Sequence, residues 1–259
     1  MDLEIKDKVF IVSGGSKGIG EGITMAIVAE GGIPVVATRS EEATIKLSGE
    51  LSNDSKEHYY VIGDLRDTKN CKNVIDETVE KFGRIDGIVN NAGANDGAGL
   101  DAGPEAFRKS IDLNLFHYYD LVYYALSYLK KSKGSIVNIS SKVAMTGQGG
   151  TSGYAAAKGA QLALTREWAV ELLKYNIRVN AILPAEVMTP LYENWINTFE
   201  DPGKKLKEIQ RNIPFGNRMT TSGEIASMAV YLLSARASHI TGQHLFVDGG
   251  YVHLDRSCE

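Results

Sequence analysis

Val9-Phe10-Ile11-Val12-Ser13 runs without a break into Gly14-Gly15-Ser16-Lys17-Gly18-Ile19-Gly20. The apolar run, with no polar alternation, predicts a short strand covered on both faces. The glycines that follow tolerate the backbone angles of a tight turn and let an anion approach the main chain. From Gly18 onward the pattern is helical, over 18–30. The turn therefore opens a helix whose N-terminus offers unpaired N–H groups and the positive end of a dipole to a diphosphate. The glycine spacing is G-x-x-x-G-x-G rather than the G-x-G-x-x-G fingerprint, so the loop by itself does not identify its ligand.

Working outward, the same alternation repeats. Further strands are predicted over 35–38, 59–63, Gly87–Asn90, 135–140, 178–183 and His244–Val247. Helical patterns fall between them, at Thr68–Phe82, 104–129, 154–173 and Ser222–Leu233. Repeated βαβ units imply a Rossmann-type α/β fold, a doubly wound parallel sheet with helices on both faces. The whole chain, 1–259, reads as a single domain. In such sheets the ligand crevice lies beyond the carboxyl ends of the strands. Five strand ends carry small or polar groups there: 13–20, Asp64, 90–93, Ser140-Ser141 and 184–189. The stretch 191–214 interrupts the repeat with Trp195, Phe199, Pro202 and a lysine-rich helix over 204–210. It is expected to form a flap at about 190–215, placed to close over the crevice.

Composition narrows the function classes. The 259 residues are 43% hydrophobic and carry a net charge of -4. No basic stripe stands out, which argues against nucleic acid as a partner. The two cysteines, Cys71 and Cys258, are far apart and lack metal-ligand spacing, so neither a disulfide scaffold nor a metal site is expected. A reducing cytoplasmic setting follows. Residues 1–8 contain no apolar leader core, and no apolar run approaches the ~18 residues of a membrane span.

The second strand tests the cofactor. A site for NAD usually places an acidic residue roughly 20 positions on, where it meets the adenosine ribose. Here that position holds Thr38, and its neighbour Arg39 can pair with a 2′-phosphate. The expected cofactor is NADP, with NAD second, since Glu41 and Glu42 also lie close.

Tyr154-Ala155-Ala156-Ala157-Lys158 sets a phenol and an ammonium one helical turn apart on one face. A free phenol, with a pKa of about 10, is a poor base at neutral pH, and a nearby cation lowers that value. Ser141, after the fifth strand, can donate to a reacting carbonyl or alkoxide oxygen. Asn114, in a predicted helix, can hold the lysine or a water that relays protons to it. It is the four residues together, behind a dinucleotide loop, that point to hydride transfer.

These residues resemble the short-chain dehydrogenases/reductases along essentially the whole chain. The loop 13–20 is similar to that family's T-G-x-x-x-G-x-G with serine for threonine, and Asn90-Asn91-Ala92-Gly93 to its N-N-A-G turn. Asn114, Ser141, Tyr154 and Lys158 fall on its catalytic tetrad. The resemblance implies that Tyr154 exchanges the proton with the substrate hydroxyl and Ser141 polarises it. Lys158 would lower the tyrosine pKa and hold the nicotinamide ribose, with Asn114 completing a proton relay. The implied cofactor set is Gly14, Ser16, Lys17, Gly18, Ile19, Gly20, Thr38, Arg39, Asp64, Leu65, Asn91, Ala92, Gly93, Tyr154, Lys158, Pro184, Val187 and Thr189. Within it, Asp64 and Asn91 flank the adenine side, and Val187 with Thr189 meets the carboxamide.

A narrower resemblance concerns the substrate. Residues 91–96, 146–154, 184–192 and 247–256 are similar to bacterial L-fucose dehydrogenases, which oxidise the anomeric carbon of an aldose to a lactone. A sugar needs several hydroxyl partners, and Asn95, Asp96, Gln148 and Glu186 are polar groups on crevice-facing loops. With Ser141 and Tyr154 they make the expected substrate set, to which Trp195 adds a ring for the sugar face. His253 is a further tail residue of interest. Thr38 departs from this narrower group, which tends to carry Asp there.

Two other readings stay open: a 3-oxoacyl thioester (acyl-carrier-protein) reductase, and a catalytically silent nucleotide-sensing module. The helices around 104–129 and 154–173 are apolar on more than one face, so a homotetramer built by helix pairing is expected.

Overall fold

The structure is a computed structural model describing residues 2–52 and 57–254. Cys258 and the end of the 247–256 motif, Asp255 and Arg256, lie outside the described residues. In chain order the main elements are β1 (Val9–Ser13), α1 (Gly18–Ala29), β2 (Ile33–Thr38), α2 (Glu41–Ser52), β3 (Tyr59–Ile62), α3 (Thr68–Phe82) and β4 (Gly87–Asn90). They continue as α4 (Gly103–Ile111), α5 (His117–Ser132), β5 (Ser135–Ile139), α6 (Ser152–Glu171), β6 (Arg178–Pro184), α7 (Pro190–Ile196), α8 (Pro202–Arg211), α9 (Ser222–Leu233) and β7 (His244–Val247).

All strand pairs are parallel, in the order β3-β2-β1-β4-β5-β6-β7. The order reverses between β1 and β4, which opens the ligand crevice there. Alternate residues of β1 feed opposite layers: Val9 and Ile11 pack with α3, α5 and the end of α6, whereas Phe10 and Val12 pack with α1 and α9. This is why the run showed no polar alternation. Each such fully buried side chain contributes about 1.5–3 kcal/mol.

Three local features differ from the sequence-based expectation. The helix predicted over 104–129 is interrupted by a π-helical turn at Asp112–Phe116, between α4 and α5. α2 went unread because its pattern is mostly polar; Ala43, Leu47 and Leu51 lie on one helical face, and the two leucines pack on Val28. The 191–214 stretch holds two helices rather than one. The Thr189 hydroxyl accepts from the Tyr192 N–H at the start of α7, and Asp201 accepts from the Lys204 N–H at the start of α8. Among the described residues, no helix is long and apolar enough to cross a membrane.

Candidate active site

The glycine loop is shaped by what its residues lack. Gly14 and Gly18 have φ of 64° and 58°, where a side chain is strained. A Cβ on Gly20 would lie 2.2 Å from the Gly14 carbonyl oxygen and 2.6 Å from Asn91 Nδ2. One on Gly18 would meet Thr189 at 3.1 Å. Lys17, at the N-cap of α1, provides no side-chain acceptor to the first helical turn, so the loop carries N–H groups suited to a diphosphate. Ser13 ties this loop to the next strand end: its Oγ accepts from the N–H groups of Asn91 and Ala92 at 2.8 and 3.0 Å. Asn91 Nδ2 in turn donates to the carbonyls of Ser13 and Gly14. The cradle fits a dinucleotide diphosphate.

At the end of β2, Thr38 Oγ1 lies 2.7 Å from Ser16 Oγ and accepts from the Ser40 N–H. The guanidinium of Arg39 is largely exposed and 3.7 Å from Asp64. Asp64 is already held by a two-pronged contact from Arg66, whose hydrogen bonds keep its carboxyl down at about 2. Leu65 turns its side chain into the core, so only its main chain can face the crevice.

Asn114 sits in the π-helical turn and touches neither Tyr154 nor Lys158 directly. Its Oδ1 accepts from the Ala94 N–H at 2.8 Å, and its Nδ2 donates to the Ser110 carbonyl. The carbonyl of Asn114 accepts from Gln161 Nε2 at 2.7 Å. The π-turn breaks the regular ladder and hands these groups to side chains. Asn114 thus clamps the 91–94 turn, while Gln161, missed in the sequence, occupies its carbonyl.

Tyr154, near the start of α6, has its phenol desolvated, with Ser141 beside it favouring the phenolate. Burial pushes the phenol up to about 12 despite the opposing effect of Ser141. Lys158, on the next turn, has its Nζ 5.4 Å from the Tyr154 ring centre. It donates to the Ile139 carbonyl at 2.8 Å and to Tyr118 Oη at 3.3 Å, and burial lowers it to about 7. The expectation that the lysine would bring the tyrosine down is outweighed here by desolvation of both groups. Ser140 Oγ donates to the Lys158 carbonyl, fixing α6 against the end of β5. Tyr118, fully buried on α5, is a lysine partner that no spacing rule revealed.

Of the expected substrate residues, Asn95 accepts through Oδ1 from Thr151 Oγ1 and the Gly97 N–H, which bridges its loop to the start of α6. Asp96 turns toward Ser110. Gln148 is exposed on the loop before α6. Trp195 is packed edge-on between Tyr192 and Phe199 and remains 45% exposed. Glu186 is salt-bridged to Lys142, and Val187 beside it is buried and bridged to Thr220. His253 packs edge-on against Phe246. The lysine partner was overlooked, although a charged residue directly after Ser141 at a buried strand end was the available signal.

The chain matches over residues 14–252 a family model described as enoyl-(acyl carrier protein) reductase. It is 37% identical to the L-fucose dehydrogenase of Mus musculus over 245 residues, 94% of this chain and 88% of the relative. The crystal structure of Cj0485 dehydrogenase superposes with a TM-score of 0.94 at 49% identity, covering 99% of this chain and 98% of that one. The ligand-free aldohexose dehydrogenase of Thermoplasma acidophilum gives a TM-score of 0.88 at 31% identity, with 99% and 98% covered.

Proposed function

The chain belongs to the short-chain dehydrogenase/reductase family and is a nicotinamide-dependent oxidoreductase, and we propose that it oxidises an aldose such as L-fucose at the anomeric carbon, with NADP preferred over NAD. The observation that carries this reading is the desolvated Tyr154 phenol, raised by burial and favoured toward phenolate by Ser141, one helical turn from the buried Lys158 at strand ends adjoining the glycine cradle. Similarity to sugar dehydrogenases over nearly the full chain supports the substrate class.

The loop Gly14, Ser16, Lys17, Gly18, Ile19 and Gly20 would hold the diphosphate, Asp64, Leu65 and Asn91 the adenine side, and Lys158 the nicotinamide ribose. Ala92, Gly93 and Pro184 would line the path between them, and Val187 with Thr189 would meet the carboxamide. A bound nicotinamide supplies the acceptor for the hydride that leaves the anomeric carbon. Ser141 orients the anomeric oxygen by donating to it. Tyr154, as phenolate, takes the hydroxyl proton as the C=O bond of the lactone forms, with Ser141 favouring the phenolate against the burial that opposes it. Asn114 holds the turn 91–94 in place beneath these groups. Asn95, Gln148, Glu186 and Trp195 surround the remainder of the sugar.

NADP is favoured because Thr38 brings no carboxylate to the end of β2 and is occupied with Ser16. Asp64, the acid paired with Arg39 among the described residues, is satisfied by Arg66, which leaves Arg39 able to meet a 2′-phosphate. We further read the chain as one domain with 190–215 as a flap, working in the cytoplasm as a homotetramer. Phe116, Tyr119 and Tyr123 on one helix edge, with Val170 and Leu173 nearby in the fold, supply an exposed apolar surface for that pairing. The 3-oxoacyl thioester reading calls for an apolar channel, whereas the rim after β5 and β6 carries a buried ion pair.

The test is a panel of L-fucose, D-arabinose, L-galactose and an acetoacetyl thioester, followed at the nicotinamide absorbance with each cofactor. Oxidation of the aldoses with the higher kcat/KM for NADP is expected. Turnover of the thioester alone overturns the substrate class, and a higher kcat/KM with NAD overturns the cofactor preference.

A further inference from the structure

The strands β5 and β6 pair with Ile139 opposite Ile182, and the Ser140 N–H donates to the Ile182 carbonyl. Beyond this last rung the chains emerge into the crevice, Ser141 on one and Pro184 on the other. One residue past Ser141 and two past Pro184, Lys142 and Glu186 meet in a salt bridge with side chains only 8% and 14% exposed. An ion pair taken out of water at this cost is often replaceable by apolar residues of equal volume without loss of stability. Filling space is therefore a poor reason for its presence at the ends of β5 and β6.

The pair is walled by two rings from other parts of the fold. The Lys142 ammonium lies 4.0 Å from the centre of the Tyr251 ring, which comes from the segment after β7. Tyr192, on α7 of the flap region, lies beside Glu186; burial and that carboxylate hold its phenol well above the usual range. An ammonium has three donors, of which the carboxylate uses one. The carboxylate has about four acceptor sites, of which Lys142 fills one, with the Tyr192 phenol beside it. Donor and acceptor capacity side by side, next to aromatic faces, suits neighbouring hydroxyls on a ring whose C–H edges are apolar.

We propose that Lys142 and Glu186, walled by Tyr192 and Tyr251, form the subsite that seats the sugar hydroxyls remote from the reacting carbon. One hydroxyl donates to Glu186 and another accepts from Lys142, so a polyhydroxylated ring is selected over an apolar one. This rests on the aldose reading above.

The experiment compares the wild-type enzyme and Glu186→Gln, with NADP, on L-fucose and on its monodeoxy analogues. A hydrogen bond to a charged group is worth roughly 10- to 100-fold in binding. Wild type should lose about that factor in kcat/KM on the analogue lacking the seated hydroxyl. Glu186→Gln should lose it already on L-fucose, chiefly in KM, and lose nothing further on that analogue, while NADP affinity by fluorescence titration holds. Lys142→Met should show the same coupling to a different hydroxyl. Should either variant fail to fold, Tyr192→Phe, which deletes a single hydroxyl, should give a smaller drop on L-fucose that is absent on the same analogue. A drop of equal factor on every analogue, or a wild type indifferent to each deoxygenation, overturns the subsite and leaves the aldose reading standing. A wild type that oxidises no aldose overturns both.

Discussion

Around β1, Gly14 and Gly20 make room in the crevice by having no side chain, whereas around β5 and α6 the same crevice is shaped by side chains whose polar ends are buried. On the first side a methyl group would collide with a carbonyl oxygen; on the second, Asn114, Ser140 and Lys158 each have their polar atoms fastened to main-chain groups. The first arrangement is steric and indifferent to protonation. The second is electrostatic, and each charge in it stands against desolvation. One fold thus holds a site that selects by shape beside one that selects by proton and charge, and the two should fail in different ways.

The largest difference should come from Tyr154→Phe. Removing the phenolic oxygen leaves the shape-based half untouched, so cofactor affinity by fluorescence titration should stay near wild type. Turnover should fall by roughly 10²–10⁴-fold, the range for loss of a positioned acid–base group. Parallel losses in both quantities would dissolve the division between the halves.

Lys158 sharpens the electrostatic side. Burial lowers it to about 7 from an ordinary value of 10.5. Between those values the unfolded chain binds a proton that the folded chain has released, so stability rises with pH across that window. From pH 7 to 10 the cofactor-free protein should gain about 3–4 kcal/mol relative to Lys158→Met, read from denaturant midpoints at each pH. Parallel curves for the two proteins would show that the ammonium is not desolvated as described. Gly20→Ala probes the steric side and should be the mildest: overpacking against Gly14 and Asn91 should cost about 1–3 kcal/mol in thermal unfolding, with no pH dependence. A variant as stable as wild type would mean that the loop yields freely.

The same division decides what could be read from the sequence. The steric half is local: strand, turn and helix lie within Val9 to Gly20, and their spacing alone exposes the cradle. The strands were legible as short apolar runs, and the five inner ones, β1, β2, β4, β5 and β6, are buried almost throughout. Tyr154 and Lys158 were legible because one helical turn joins them. Tyr118, Gln161 and Lys142 were not, since their partners lie 40, 47 and 44 positions away and only the folded register brings them together. α2 escaped because three apolar contacts on one side suffice to dock an otherwise polar helix. The break in 104–129 escaped because the hydrogen bond made at its π-turn runs to the 91–94 turn, outside the helix itself.

That break has a bearing on how the protein can change. The turn Asp112–Phe116 divides one continuous run of helix into two segments of different rotational phase. Ser110 and Tyr118 anchor opposite sides of it, one to Asp96 and the other to the Ile139 carbonyl. An α-helix advances about 100° per residue, so losing a single codon here would straighten the helix and swing one anchor out of reach while leaving every named residue present. Insertions and deletions at this point are therefore a larger evolutionary step than most substitutions in the crevice.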